Sequence, residues 1–215
     1  MSAAAMDDFA ALANQGVEDI RKFLGIPASG GKLAERVRFF VGCDVEISFT
    51  QARSVFLPAH RVRNQCAPYL HETFHALAPC RRCPLWFSEG VACYVQSFVS
   101  EHYSGYDAPL FTGNGNAEVD RDAARWLAAS EGKAVLPFIA KNGEPRNLRS
   151  DRERVASPFY ALSHSFTKFL AQSCAPSALY RISLATNFKA AFRKQLGAAP
   201  LGLRERWLER LRGRQ

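Results

Sequence analysis

Apolar residues recur along most of the chain at the spacing that turns them to one face of a helix. The first such stretch predicts an amphipathic helix over residues 6–24, which Gly25 and Pro27 bring to an end. The same pattern predicts further helices, several with a proline at the start, and Ser157 and Pro158 form a capped start for one of them. These helices are expected over residues 33–40, 68–79, 84–99, 120–130, 157–173, 176–185, 187–196 and 200–211.

Two short segments follow the period-two alternation of strands instead. They are residues 45–49 (VEISF) and 54–57 (SVFL). So many helices with so little strand predict an α+β fold, mainly α, with a small N-terminal sheet and a helical C-terminal half. We expect one domain over residues 1–215. Its expected parts are an N-terminal helical extension (1–32), the sheet with the two helices of the candidate site (33–100) and a helical subdomain (101–215).

Composition sets limits on class and partners. The chain has 215 residues and is 47% hydrophobic, enough for one substantial core. The formal net charge of +8 permits contact with acidic partners, but basic residues without a clustered patch usually form a solvated face, so nucleic acid is not the expected partner. Six scattered cysteines, no apolar span and no signal-peptide pattern predict a cytoplasmic protein with mostly reduced thiols and no membrane partner.

The segment HETFH, which begins at His71, carries the strongest chemical signal. On a helix, positions i and i+4 point the same way, so His71 and His75 present two imidazoles to one point. Two neutral imidazoles bind one zinc ion well. Glu72 is offset around the helix, where it reaches a metal-bound water rather than the metal. The spacing therefore predicts two zinc ligands and a general base.

Zinc needs at least one more protein ligand, and the neighbouring residues offer two alternatives. Candidates for the third ligand are Cys80, Cys83, Glu89 and His102. Cys80 and Cys83 with the two histidines would form a closed structural Cys2His2 site. That arrangement leaves Glu72 without a role and needs a tight turn after Pro79. Glu89 lies near the second turn of the next helix, and the residues between allow an antiparallel return that faces it toward His71.

The HETFH segment and the residues around it resemble a known family. HETFH followed by PLWFSEGVACY is similar to the HExxH…WxxEGxAxY pattern of gluzincin metallopeptidases, which include thermolysin-like and aminopeptidase-like catalytic domains. SPFYALSHSFTKFL resembles a later helix of these domains, and FKAAFRKQLGAAPLGLRERWLERL is similar to the closing segment of small members. The resemblance covers roughly residues 45–211 and implies a zincin-like metallopeptidase fold.

The resemblance implies a site and an activity. It makes zinc the cofactor, with His71, His75 and Glu89 as ligands, and Glu72 the general base and proton shuttle. Tyr160 matches the tyrosine that would hydrogen-bond the developing oxyanion. His164 follows Tyr160 by one helical turn on the same face and is a second candidate for that role. The implied function is zinc-dependent cleavage of peptide (amide) bonds in a peptide or protein substrate.

The competing function is a non-enzymatic zinc-binding module that holds zinc with His71, His75, Cys80 and Cys83 and engages nucleic acid. On the enzyme hypothesis Cys80 and Cys83 are expected as unpaired thiols, and residues 54–57 as an edge strand for an extended substrate.

The chain also departs from the family pattern. Cys93 and Gln96 replace acidic residues that would support the ligands, and the aminopeptidase Gly-rich Met-Glu-Asn motif is absent. This absence argues against removal of N-terminal residues and leaves an endopeptidase or a specialised amide hydrolase as open alternatives.

Overall fold

A computed structural model describes residues 2–27, 36–103, 105–106 and 115–213. The predicted α+β, mainly α fold is confirmed. The helices are Ala3–Leu24 (α1), Ala59–Arg63 (α2), Tyr69–Leu77 (α3), Leu85–His102 (α4), Val119–Ala128 (α5), Ser130–Val135 (α6), Ser157–Ala171 (α7), Pro176–Leu184 (α8), Phe188–Leu196 (α9) and Pro200–Arg212 (α10). The strands are Arg38–Gly42 (β1), Phe49–Gln51 (β2) and Ser54–Pro58 (β3).

The chain divides into two compact units. The first comprises Met1–Pro79 and Val95–Leu110, and the second comprises Cys80–Tyr94 and Phe111–Gln215. Helix α4 is one continuous helix, and its two halves are counted in different units. None of the described helices is long and apolar enough to cross a membrane.

In the first unit, β3 is the central strand of the sheet. It pairs in parallel with β1 and antiparallel with β2, so the order is β1-β3-β2. The strand predicted at residues 54–57 is therefore confirmed, but its expected place at the sheet edge is wrong. Both of its sides are already hydrogen-bonded, and no substrate can be added there as a further strand.

The other local predictions around the sheet were less accurate. The helix expected over residues 33–40 is wrong where it is described, because Arg38–Phe40 belong to β1; residues 33–35 lie outside the described part. Pairing with β3 outweighs the helical spacing of these apolar residues, a tertiary override of local preference. Of the strand expected over residues 45–49, only Phe49 lies in a strand.

The inner face of the sheet and α1 together hold α3 in place. Val55 and Leu57 of β3 are fully buried. The ring of Phe9 in α1 makes edge contacts with Phe39 of β1 and Tyr69 of α3, at centroid distances of 6.1 and 5.7 Å. These contacts fix the helix that carries HETFH against a rigid support.

Close approach of α1 to α3 depends on a glycine in α1. A Cβ at Gly16 would lie 2.7 Å from Cδ2 of Leu70. The α1 helix itself begins earlier than predicted, at Ala3, because the Ser2 hydroxyl accepts a hydrogen bond from the Ala5 N–H. It ends where predicted, at Leu24, with Gly25 in the left-handed conformation.

In the second unit, an aromatic cluster anchors the start of α4. Trp86 and Phe87 are fully buried. Their rings contact Phe188 and Phe192 of α9, and Trp86 also contacts Phe166 of α7. The two aromatic residues within PLWFSEG therefore serve packing, and they hold the turn of α4 that carries Glu89.

Helix α7 begins differently from the sequence-based expectation. A π-helical turn, Arg152–Ala156, runs directly into it, and the Asp151 carboxylate caps that turn by accepting from the Arg154 N–H at 3.0 Å. Ser157 is therefore inside continuous helix and its predicted capping role is wrong. The C-terminal helices α8, α9 and α10 lie where the apolar pattern predicts them.

Gly90, the residue after Glu89, lets α4 and α7 touch at their backbones. A Cβ at this position would stand 2.5 Å from the Ser163 carbonyl oxygen and still closer to the Thr167 hydroxyl. Real Cβ atoms do not approach a carbonyl this closely, and the obstacle is backbone, which cannot rotate away. Any side chain at this position would push the two helices apart.

We expect Gly90→Ala to lower the free energy of unfolding by about 1–3 kcal/mol through overpacking. Chemical denaturation of the purified variant measures this. Gly202→Ala is the matched control, because Gly202 lies in α10 with nothing near its Cβ position. Alanine there should raise the free energy of unfolding by about 0.5–1 kcal/mol. Equal effects of the two substitutions would contradict the close α4–α7 contact.

Candidate metal centre

Helix α3 places the two histidines of HETFH on one face. Pro68 precedes the helix, and Ala78 and Pro79 follow it, so the nine residues Tyr69–Leu77 form a short helix between two prolines. Nearly every side chain of α3 is buried. His71 is 2% exposed and Glu72 is 5% exposed, while His75 is half-buried.

The two imidazoles already converge. The Nε2 atoms of His71 and His75 lie 3.1 Å apart, and the rings are 4.8 Å apart at a steep angle. Two nitrogens bound to one tetrahedral zinc at 2.0–2.1 Å would be separated by about 3.3 Å. The observed separation matches this value within the adjustment that side-chain rotation allows.

A buried glutamine joins α3 to α4. The Gln96 Oε1 atom accepts a hydrogen bond from the His71 backbone N–H at 3.2 Å, and Gln96 is 1% exposed. This N–H belongs to the first turn of α3, where a helix has no partner of its own for it. Gln96 therefore satisfies a buried donor on the backbone of the first candidate histidine ligand, a role that the sequence did not suggest.

Glu89 is carried by the same helix as Gln96. Helix α4 is continuous, and Glu89 lies seven residues before Gln96, which is two helical turns. Both side chains therefore leave the same face of α4. His71, His75 and Glu89 each offer a ligand atom, and these atoms lie within 4.8 Å of one another. Among the described residues this is the one group of three or more His, Cys, Asp or Glu side chains that has the spacing of a metal site.

The donor set suits zinc in particular. Two imidazole nitrogens and one carboxylate oxygen are the usual ligands of a catalytic zinc ion, and three protein ligands leave one position open for water. Hard cations such as magnesium prefer an all-oxygen shell. The residues brought together here therefore fit a catalytic rather than a closed structural centre.

The cysteines of the CxxC pair with each other. Cys80 and Cys83 are joined in a disulfide, with their Cα atoms 5.6 Å apart. The expectation of unpaired thiols is wrong, because the tight turn between α3 and α4 brings the two side chains together. Sulfurs bonded to each other are not thiolate ligands, so the closed Cys2His2 alternative has no support in this geometry.

His102, another candidate ligand, is not part of the cluster. It lies at the last residue of α4, and its Nδ1 atom is 2.9 Å from the Phe98 carbonyl oxygen one turn earlier. The ring stacks on Phe98 at a centroid distance of 4.1 Å. An exposed histidine that packs along its own helix explains this position without a metal.

Glu72 contacts a strand of the sheet. The Thr50 hydroxyl oxygen of β2 lies 2.8 Å from Glu72 Oε2 and 2.9 Å from the Glu72 carbonyl oxygen. Thr50 is not among the candidate residues that the sequence suggests. A threonine at the centre of a short strand is ordinary, and no local pattern connects it with a residue 22 positions later.

The two candidate oxyanion donors have different surroundings on α7. His164 is fully buried and its Nε2 atom is 2.7 Å from the Asn116 Oδ1 atom. Tyr160 is half-buried and stands one turn before Ser163, whose carbonyl faces Gly90. Both residues therefore lie on the helix that packs against the Glu89 segment of α4, and their proposed roles stay predictions.

Cys93 of α4 is a buried thiol. It lies one turn after Glu89 on α4 and is 3% exposed. Burial raises the pKa of this thiol well above its ordinary value, and the nearby Glu89 charge raises it further. Cys93 is therefore a neutral packing residue rather than a thiolate ligand.

Comparison of the chain with protein-family models, with curated proteins and with solved structures gave no match. The HETFH motif and the geometry of this site are therefore the observations that bear on function.

Proposed function

We propose that this protein is a zinc-dependent hydrolase that cleaves peptide (amide) bonds, on a zincin-like fold of the gluzincin type. One observation carries the proposal: the ligand atoms of His71, His75 and Glu89 converge within 4.8 Å. Glu72, which the HExxH motif makes the base, lies between the two histidines in the same helix. A ligand set with an adjacent buried carboxylate is the arrangement that hydrolysis requires.

The ligands and the base divide the chemistry between them. A bound zinc ion would polarise the scissile carbonyl and would lower the pKa of a coordinated water to about 7, as in the best-known cases. The Glu72 carboxylate accepts a proton from the attacking water and passes it to the leaving nitrogen. His71, His75 and Glu89 hold the ion and leave one position open.

An oxyanion donor completes the proposed mechanism, and the surroundings favour Tyr160 over His164. A hydrogen-bond donor at the developing oxyanion is typically worth about 10²–10³ in rate. Tyr160 is half-buried, so it is the more exposed of the two candidate donors. His164 has no exposed surface and its Nε2 atom is engaged with Asn116. In this proposal Tyr160 donates to the oxyanion and His164 supports the packing of α7.

The substrate is proposed to be a peptide or protein cleaved internally, because the motif that binds a substrate amine in aminopeptidases is absent from the sequence. No described segment supports the alternative role in binding nucleic acid through a cysteine-ligated zinc.

Metal removal tests the proposal. We expect one zinc ion per chain by elemental analysis and hydrolysis of dye-labelled casein or of a quenched-peptide mixture. Dialysis against 1,10-phenanthroline should remove the bound zinc and abolish hydrolysis. Addition of zinc, but not of magnesium, should restore activity, because the donor set is nitrogen-rich. Hydrolysis that persists in zinc-free protein would contradict the proposal, as would a zinc-loaded protein that cleaves no peptide in the mixture.

A further inference from the structure

One hydroxyl group contacts Glu72 in two places. The Thr50 Oγ1 atom lies 2.8 Å from the Glu72 Oε2 atom and 2.9 Å from the Glu72 carbonyl oxygen. Both distances are those of good O–H···O hydrogen bonds. A single residue of the sheet therefore engages the main chain and the side chain of the proposed base together.

The sheet holds Thr50 firmly in this position. Thr50 pairs with Val55 of β3 in the antiparallel register. Its neighbours Phe49 and Gln51 point to the exposed side of the sheet, so Thr50 points inward. The Phe49 ring stacks on Phe56 of β3 at 4.6 Å, which strengthens the pairing of a strand of only three residues.

This arrangement leaves the two oxygens of the Glu72 carboxylate unequal. A hydroxyl carries one hydrogen, and here that hydrogen is directed to Oε2 and to the main-chain carbonyl. Within the described part of the chain, Glu72 makes no other side-chain hydrogen bond or ion pair. Oε2 is thus held, and Oε1 is the oxygen that remains for the attacking water.

We infer that Thr50 is a positioning residue that orients the Glu72 carboxylate toward the water and makes Oε1 the proton-accepting oxygen. This inference rests on the proposed function. In the reaction the water oxygen bonds to the scissile carbonyl carbon as its O–H bond breaks, and the proton moves to Oε1. That proton then passes to the leaving nitrogen as the C–N bond breaks, and the Thr50 O–H bond stays intact. Glutamate has three rotatable side-chain bonds and can adopt many orientations that do not face the water. A hydrogen bond at Oε2 removes many of these unproductive orientations.

The discriminating variants are Thr50→Val, which keeps shape and strand preference but lacks the hydroxyl, and Thr50→Ser, which keeps it. We expect Thr50→Val to lower kcat for a cleaved quenched peptide by about ten- to a hundredfold, with KM and zinc affinity unchanged. Thr50→Ser should retain most of the wild-type kcat, because serine keeps the hydroxyl. Gln51→Val, on the opposite face of the same strand, is the matched control and should retain the wild-type kcat.

Of two further measurements, the first separates this inference from a purely structural role of Thr50. In a Glu72→Gln background, Thr50→Val should cause no additional loss of residual activity, because the carboxylate that it orients is gone. In zinc-free protein, urea unfolding of Thr50→Val, Glu72→Ala and the double variant should give non-additive effects on stability. This second measurement tests the contact without any activity.

The outcomes distinguish failure of the proposed role of Thr50 from failure of the proposed hydrolase function. An active wild-type protein whose Thr50→Val variant keeps full kcat, or whose Thr50→Ser variant loses as much as Thr50→Val, overturns the inference alone. Additive stability effects in the zinc-free cycle also overturn it. A zinc-loaded wild-type protein without hydrolytic activity overturns the proposed function, and the inference with it.

Discussion

Glu72→Gln is expected to reduce hydrolysis by about 10²–10⁴-fold while the protein keeps its zinc. Glutamine has the shape of glutamate and still offers Thr50 a carbonyl oxygen, so the buried contact with β2 is preserved. It cannot take a proton from water, however, and the step that generates the nucleophile fails. The three proposed ligands are untouched, so the metal should stay.

The measurement combines initial rates on a quenched peptide with zinc content by elemental analysis for the same preparation. Glu46→Gln is the matched control, because this carboxylate is exposed and lies in the loop before β2. It should leave both the rate and the zinc content at the wild-type level. Full activity in Glu72→Gln would show that another group supplies the base and would refute the mechanism.

Glu89→Ala is expected to weaken zinc binding by more than the roughly 10–100-fold that loss of an outer-shell partner costs. The substitution removes one of three proposed ligands and leaves only the histidine pair of α3. Activity should fall with metal occupancy at ordinary zinc concentrations. Competition with a chromophoric chelator measures the affinity, and circular dichroism verifies that α4 is still folded.

The companion variant is Cys80→Ser with Cys83→Ser, which separates the two ligand hypotheses. Because the disulfide closes a very short loop, its loss should cost about 2 kcal/mol of stability or less. Zinc affinity should be unchanged. Loss of zinc from the cysteine variant, with retention in Glu89→Ala, would reverse the assignment and favour a structural Cys2His2 module.

Much of the fold was predictable because it is local. The end of α1 and the extents of α8 to α10 follow from apolar spacing, proline starts and glycine ends, each of which acts within a few residues. The strand at β1 was not predictable in this way. Its residues have helical spacing, and only hydrogen bonds to β3, some sixteen residues later along the chain, make them a strand.

In the candidate site, too, the local features were predictable from the sequence and the contacts between separate elements were not. The sequence alone determined that His71 and His75 face one point, because four residues span one turn of any helix and prolines limit this one. It also made Glu89 a candidate, but two ligand sets were compatible with the letters. The turn between α3 and α4 decided against the cysteines, because it brings Cys80 and Cys83 to bonding distance from each other.

Two supporting contacts were visible only in the tertiary structure. Gln96 reaches the His71 backbone from another helix, and Thr50 reaches Glu72 from a strand. Neither partner is marked by any spacing, because such bonds depend on where separate elements pack. Helix geometry in the sequence determined the convergence of the two candidate histidine ligands and the place of the candidate base, while the tertiary structure decided which groups contact them, Gln96 at the His71 backbone and Thr50 at Glu72. Local geometry repeats in every helix, whereas the distance between two elements depends on all the side chains that separate them.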